Sequence, residues 1–95
     1  MLLRGDHADG VTVLTLNRPA SRNSLSLQML ETLEVTLAGI GEDASRRCVV
    51  LAAAGPVFSA GHDLREIIAH RADPDHGRGF YDRAMETCSR VMQAI

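Results

Sequence analysis

Residues 48–54 read Cys-Val-Val-Leu-Ala-Ala-Ala, and residues 55–62 follow as Gly-Pro-Val-Phe-Ser-Ala-Gly-His. An unbroken apolar run without polar alternation is typical of a parallel strand that is covered on both faces. The pattern predicts a strand over 47–54 and, after it, a loop of mostly small residues over 55–63. In α/β folds the loop after a parallel strand is where ligand sites are found, so this loop is the first candidate site.

The residues at the start of the chain predict a β-hairpin over 2–18. Asp9-Gly10 is suited to a two-residue turn because both positions tolerate positive φ. The second strand of this hairpin carries apolar residues on both faces, which also indicates a strand between two layers. A strand, a helix and the strand at 47–54, in that order, imply an α/β fold with a right-handed crossover.

Leucine and isoleucine recur at helical spacing between the two strands and predict a helix over 25–40. Ser24 or Ser26 is suited to cap its start, because a serine oxygen accepts a hydrogen bond from a free N–H of the first turn. The left-handed stop of this helix is expected at Gly39 or Gly41.

Two more helices are predicted after the loop. Asp63 followed by Glu66 resembles a capping box and predicts a helix over 63–70. Residues 71–79 are polar and contain proline and glycine, so we expect a flexible connection there. The last helix is predicted over 79–95, from an apolar face that repeats at helical spacing and continues to the final residue without a stop signal. We therefore expect the chain to be part of a larger fold.

Composition excludes several classes of protein. The chain has 95 residues, a net charge of −2 and a sequence pI near 6.0, so it lacks the basic footprint of a nucleic-acid-binding protein. No apolar segment approaches the roughly 20 residues that a membrane span needs, and no signal peptide is recognisable. The default expectation is a cytoplasmic protein in which Cys48 and Cys88 are small, buried apolar residues.

The candidate loop has the features of a site for a negatively charged oxygen. Gly61 allows an unusual backbone turn, and the small Ser59 and Ala60 would let a substrate approach the main chain. The N–H groups at the start of a helix are unpaired and carry positive partial charge, which suits a developing oxyanion. A plain connecting loop explains the same pattern, so the spacing alone leaves both readings open.

Three linked motifs add a family resemblance that runs over residues 11–95. Phe58-Ser59-Ala60-Gly61-His62-Asp63-Leu64, together with Val13 to Pro19 and Arg22 to Ser26, resembles the enoyl-CoA hydratase/isomerase (crotonase) superfamily, closest to its enoyl-CoA hydratase domain-containing branch. The resemblance implies an α/β fold in which ββα units form a spiral (ClpP/crotonase), with residues 1–95 as the N-terminal part of one crotonase-like domain.

The resemblance also implies roles for individual residues. The N–H of His62 would be one of two donors to the thioester oxygen in an oxyanion hole, while its imidazole need do nothing. Arg22 would lie along the coenzyme A nucleotide as a phosphate partner, although a solvated loop residue is equally consistent. Asp63 is more simply explained as a helix cap than as a catalytic acid. The implied substrate and coenzyme A binding residues are Arg22, Ser24, Ala60, Gly61, Asp63, Leu64 and Arg65.

The implied activity is hydration of a 2-enoyl-CoA thioester through a stabilised enolate, or a related lyase or isomerase reaction of fatty acid metabolism. Coenzyme A enters as part of the substrate, so no separate cofactor is expected, and His7, His70 and His76 have no partners at metal-ligand spacing. Family members carry their acid/base carboxylates later in the chain, so residues 1–95 alone should be inactive. The alternatives are a non-catalytic homologue that binds acyl-CoA or serves oligomer contacts, and a bare structural fragment. The full domain is expected to form a trimer or hexamer, without nucleic acid or membrane as partners.

Overall fold

A three-stranded sheet with two long helices on one face forms the body of the computed structural model, which describes residues 1–95. The strands lie side by side in the order in which they occur along the chain, the first pair antiparallel and the second pair parallel. The parallel pair confirms the predicted α/β class. The elements are β1 (Leu2–Asp6), β2 (Val11–Leu16), α1 (Leu27–Glu42), β3 (Cys48–Ala53), α2 (Leu64–Ala69) and α3 (Arg78–Ala94).

The hairpin of β1 and β2 has a longer connection than predicted. Asp6 pairs with Thr12, and the N–H of His7 donates to the carbonyl oxygen of Val11 at 2.8 Å. Four residues, 7–10, therefore join the strands instead of two. Asp9 and Gly10 adopt φ of 63° and 77°, so the positive φ expected at this dipeptide is present within the longer turn.

Helix α1 begins at the predicted serine cap and ends later than predicted. The side chain of Ser26 accepts a hydrogen bond from the N–H of Met29 at 3.1 Å. Neither Gly39 nor Gly41 stops the helix, because both lie inside it and have no positive φ. The helix continues to Glu42 and ends when the backbone of Asp43 becomes extended.

The core lies between α1, α3 and one face of the sheet. Leu14 pairs with Leu51 and Leu16 with Ala53, so these side chains point to the same face. The buried cluster consists of Leu16, Met29, Leu30, Leu33 and Val91. Burying such side chains is the main favourable contribution to the folding free energy, at about 1.5–3 kcal/mol each.

The opposite face of the sheet is open, which corrects the expectation that both faces of β2 and β3 are covered. Val50 is 45% exposed and Leu3 is 51% exposed, and no residue of β3 is buried. Cys48 is exposed as well, so the expectation that it is a buried apolar residue was wrong; Cys88 is half-buried. The apolar residues of β3 do not alternate with polar ones because both of its faces are apolar. The helices of these 95 residues cover only one of the two faces.

The connection before α3 is an ordered turn rather than a loose linker. The carboxylate of Asp75 accepts hydrogen bonds from the N–H groups of Gly77 at 3.0 Å and Gly79 at 2.9 Å. These two bonds lower the pKa of Asp75 below its ordinary value, because they stabilise the charged carboxylate. They also set the start of α3 at Arg78, one residue before the predicted start.

Helix α3 packs against α1 through a narrow apolar stripe flanked by ion pairs. Ala84, Thr87 and Val91 are its buried residues, whereas Ile95, which the helical spacing placed on the apolar face, is 74% exposed. Two exposed ion pairs, Arg83 with Glu31 and Arg90 with Glu34, join the helices. No helix of the chain combines the length and the apolar character that crossing a membrane requires.

Candidate active site

The loop between β3 and α2 is held along its length by the segment that precedes α1. The N–H of Ala60 donates to the carbonyl oxygen of Arg22 at 2.9 Å, and the N–H of Leu25 donates to that of Gly61 at 2.7 Å. The N–H of Asp63 then donates to the carbonyl oxygen of Leu25 at 3.2 Å. Because the bonds alternate between the two segments, the loop has strand-like order although it belongs to no strand.

His62 stands in the middle of this pairing, and its own N–H has no hydrogen-bond partner in the protein. It forms an isolated parallel bridge with Leu25, in which Leu25 bonds to the residues on either side of His62. In a parallel bridge of this pattern, the N–H and C=O of the bridged residue point away from the paired segment. The N–H of His62 is thus a free donor on a fixed backbone.

Gly61 adopts φ of +90°, which is the left-handed region that side-chain-bearing residues avoid. A Cβ added here would meet no atom within 4 Å, so backbone conformation, not space, makes glycine suitable. Its N–H donates to the Oγ of Ser59 at 3.1 Å. Ala60 and Gly61, the two residues before His62, therefore both have hydrogen-bonded main-chain N–H groups, and Gly61 has a backbone conformation that favours glycine.

The start of α2 uses its two acidic residues differently from a capping box. Asp63 caps the helix as predicted, accepting from the N–H of Glu66 at 3.3 Å. The carboxylate of Glu66 does not return to Asp63, whose N–H is already bonded to Leu25; it accepts from the N–H of Leu27 at 2.9 Å. Glu66 thereby joins the first turns of α1 and α2, a role that the predicted capping box did not include.

An open cleft of about 680 Å³ lies beside this loop. It brings together all the site residues predicted from the sequence except Gly61, which does not line it. Arg22, Leu64 and Arg65 are exposed in it, and Ser24 is buried. The predicted residues that line the cleft are Arg22, Ser24, Ala60, His62, Asp63, Leu64 and Arg65.

Arg18 is a cleft residue that the sequence analysis did not single out. Its guanidinium lies 3.6 Å from the carboxylate of Asp63, and both side chains are largely buried. Asp63 is thus occupied as a helix cap and as an ion-pair partner, which agrees with a structural role. Arg22 and Arg65 form no ion pair and leave the cleft with two unpaired cations.

Three glutamates of the long helices lie outside the cleft. Glu31 and Glu34 are half-buried residues of α1 that are paired with arginines of α3, and Glu86 is an exposed residue of α3. None of them lines the cleft. The cleft is therefore lined by His62, whose N–H is free, by cations, and by two carboxylates, Asp63 and Glu66, that already have protein partners.

A parallel β-α-β core followed by a glycine-containing loop with a free N–H is consistent with a partial ββα fold of the crotonase class, the fold of its structural neighbours. In agreement, the family model described as enoyl-CoA hydratase/isomerase matches residues 11–94. The chain belongs to the enoyl-CoA hydratase/isomerase family.

Individual relatives agree with this assignment. The human enoyl-CoA hydratase domain-containing protein 3, named as mitochondrial, is 36% identical over 87 residues, covering 92% of this chain and 27% of that protein. The 4-chlorobenzoyl coenzyme A dehalogenase-2 of an Arthrobacter species is 44% identical over 63 residues, covering 65% of this chain and 22% of that protein. A crystal structure of an enoyl-CoA hydratase from Mycobacterium smegmatis superposes with a TM-score of 0.88 at 46% identity, covering 99% of this chain and 35% of that one. The chain thus spans about a third or less of the proteins that it matches.

Proposed function

We propose that these residues form the acyl-CoA-binding half of an enoyl-CoA hydratase-like site, with the main-chain N–H of His62 as one donor of an oxyanion hole. The observation that carries the proposal is that this N–H lacks a partner while its neighbours on the loop are hydrogen-bonded. A donor held in place before the substrate arrives needs no reorganisation when negative charge develops on the thioester oxygen.

The cleft supports a ligand that carries phosphate groups at a distance from its reacting carbonyl. Arg22 and Arg65 are cations without protein partners, and guanidinium groups bind phosphate oxygens in bidentate geometry. Leu64, which is exposed in the same cleft, offers apolar contact. Coenzyme A thioesters have this distribution of charge, and coenzyme A is named in the dehalogenase relative as well as in the hydratases.

The proposed reaction is addition of water across the double bond of a 2-enoyl-CoA, with hydroxyl added to C3 and a proton to C2. An enolate oxygen bonded to the His62 N–H would be the species that the site stabilises. The carboxylates that move protons would come from residues beyond these 95, because the acidic residues of the cleft are already engaged. Relatives with different reactions in their names match the same segment, which supports a shared binding role for it.

A binding protein without catalytic activity is the second candidate. It is favoured by the structural roles of both carboxylates of the cleft, since Asp63 is paired with Arg18 and Glu66 accepts from the N–H of Leu27. A cytoplasmic location and a trimeric or hexameric assembly stay predictions. The human relative is named mitochondrial.

Paired substitutions at His62 test the proposal in the full polypeptide that carries these residues. H62A keeps the N–H, so crotonyl-CoA hydration should stay within about threefold of wild type, because a side chain that transfers no proton contributes little. H62P removes the N–H, which bonds to nothing in the protein, and should lower kcat by about 10²–10³-fold, as loss of an oxyanion-hole donor does.

Thermal unfolding and coenzyme A affinity serve as controls for both variants. Equal stability and equal affinity in H62A and H62P would show that the lost activity concerns the N–H itself. Full activity in H62P would contradict the proposal. Coenzyme A binding without hydration in the wild-type polypeptide would favour the binding-only candidate.

A further inference from the structure

We infer that Asn23 is a positioning residue for the oxyanion site, resting on the proposed function of the His62 N–H. Asn23 is fully buried, with a relative exposure of 0%, yet it carries a polar side chain and lies on a loop. A buried amide is costly unless its donors and acceptor are satisfied, so its hydrogen bonds identify what it holds.

The amide of Asn23 joins three separate segments. Its Oδ1 accepts from the N–H of Arg18 at 2.8 Å, directly after β2. Its Nδ2 donates to the carbonyl oxygens of Ala54 at 2.8 Å and Val57 at 3.0 Å, at the end of β3 and at the start of the site loop. One side chain thus fixes where the loop leaves the sheet.

The main chain of Asn23 holds the later part of the same loop through Ser59. The hydroxyl of Ser59 donates to the carbonyl oxygen of Asn23 at 2.9 Å and accepts from the N–H of Gly61 at 3.1 Å. This chain of bonds ends one residue before His62. The next peptide plane, which carries the His62 N–H, is held by the carbonyl oxygen of Gly61, which accepts from the N–H of Leu25 at 2.7 Å, two residues after Asn23. Asn23 thus anchors the segments on both sides of this plane.

The backbone of Asn23 explains why asparagine suits this position. Its φ of 53° lies in the left-handed region, where asparagine and aspartate are several-fold enriched among residues with a side chain. Aspartate is therefore able to keep the backbone and the shape, and it differs in having no N–H donors for Ala54 and Val57. The substitution N23D therefore keeps the turn, removes those two bonds and places a carboxylate oxygen against the two carbonyl oxygens.

The test compares N23D with N17D in the full polypeptide. Asn17 is exposed and its side chain makes no hydrogen bond in the protein, so N17D makes the same chemical change without touching the loop. The readout is the infrared stretching frequency of the thioester carbonyl in bound, ¹³C-labelled crotonyl-CoA. A hydrogen bond to this oxygen lowers the frequency, and a merely structural role of Asn23 would not change the frequency measured in the bound, folded fraction.

We expect wild type and N17D to lower the carbonyl frequency equally relative to free crotonyl-CoA. N23D should give a smaller lowering, with about a 10²-fold fall in kcat, as expected for a small displacement of a catalytic group. The affinity for coenzyme A without the acyl group should be unchanged in N23D. If N23D does not fold, S59A takes its place in the test. It removes the hydroxyl that links the carbonyl oxygen of Asn23 to the N–H of Gly61, so it should also give a smaller lowering of the carbonyl frequency.

A carbonyl frequency in N23D equal to that in N17D would overturn the inference and leave the role of His62 intact. If N23D is unfolded, a carbonyl frequency in S59A equal to that in wild type would likewise overturn the inference about Asn23. Wild-type protein that binds crotonyl-CoA without any lowering would instead overturn the proposed function, and the inference with it. The two failures are thus distinguishable.

Discussion

At the scale of single residues, the notable feature of some loop residues is in the main chain and that of others is in the side chain. Gly61 has a positive φ and His62 has a free main-chain N–H, and the loop motif had drawn attention to the main chain of both. Asn23 matters through its side chain, and the sequence did not reveal it. Its partners Ala54 and Val57 lie 31 and 34 positions away, so no local pattern indicates the contact.

The role of Gly61 leads to a stability prediction. G61A should lower the free energy of unfolding by about 1–2 kcal/mol, because an alanine is strained in the left-handed region although its Cβ has room. G39A is the matched control: Gly39 lies inside α1 with equally open space, and alanine there should raise the free energy by about 0.5–1 kcal/mol. Urea unfolding of both variants checks the signs, and a neutral or stabilising G61A would contradict the required turn.

At the scale of elements, helical periodicity predicted the positions of α1 and α3, while their ends depended on interactions that periodicity does not contain. Gly39 and Gly41 were expected to stop α1, but nothing nearby favours a left-handed residue there and the helix continues through both. The predicted flexible connection before α3 is instead ordered by Asp75, whose partners follow it within four residues. The start of α3 is therefore set by a local polar side chain, which helical periodicity does not reveal.

The turn at Asp75 leads to a prediction of pH dependence. Its pKa is lowered by the N–H groups of Gly79 and Gly77, so its carboxylate stabilises the fold fully above the ordinary aspartate pKa of about 4. That contribution is lost as the pH falls through the lowered pKa. The wild type should be more stable than D75N at neutral pH, and the difference should shrink at acidic pH.

Urea unfolding of wild type and D75N at several pH values measures this difference. D82N is the control, since Asp82 is an exposed residue of α3, the helix that follows the turn, and its side chain makes no hydrogen bond. D82N should show no comparable difference. A gap between wild type and D75N that stays constant down to strongly acidic pH would refute the assigned role of the carboxylate.

At the scale of the whole molecule, the sequence predicted the order and class of the elements and the family, but it did not predict which surfaces are covered. β2 and β3 carry apolar residues on both faces, and only the face toward α1 and α3 is packed in these 95 residues. A hydrophobic sequence pattern indicates which faces of a strand are apolar, but it does not indicate which segment of the protein packs against each face. The relatives that the chain matches are about three times its length.

The central claim of the account, that the N–H of His62 binds the thioester oxygen, is tested most directly by a crystal structure of the full polypeptide with bound crotonyl-CoA. The account predicts the oxygen at about 2.7–3.1 Å from the main-chain nitrogen of His62, in the range of oxyanion-hole donors. It also predicts phosphate oxygens within reach of Arg22 or Arg65. A bound thioester whose oxygen lies beyond hydrogen-bond distance from that nitrogen would contradict the claim.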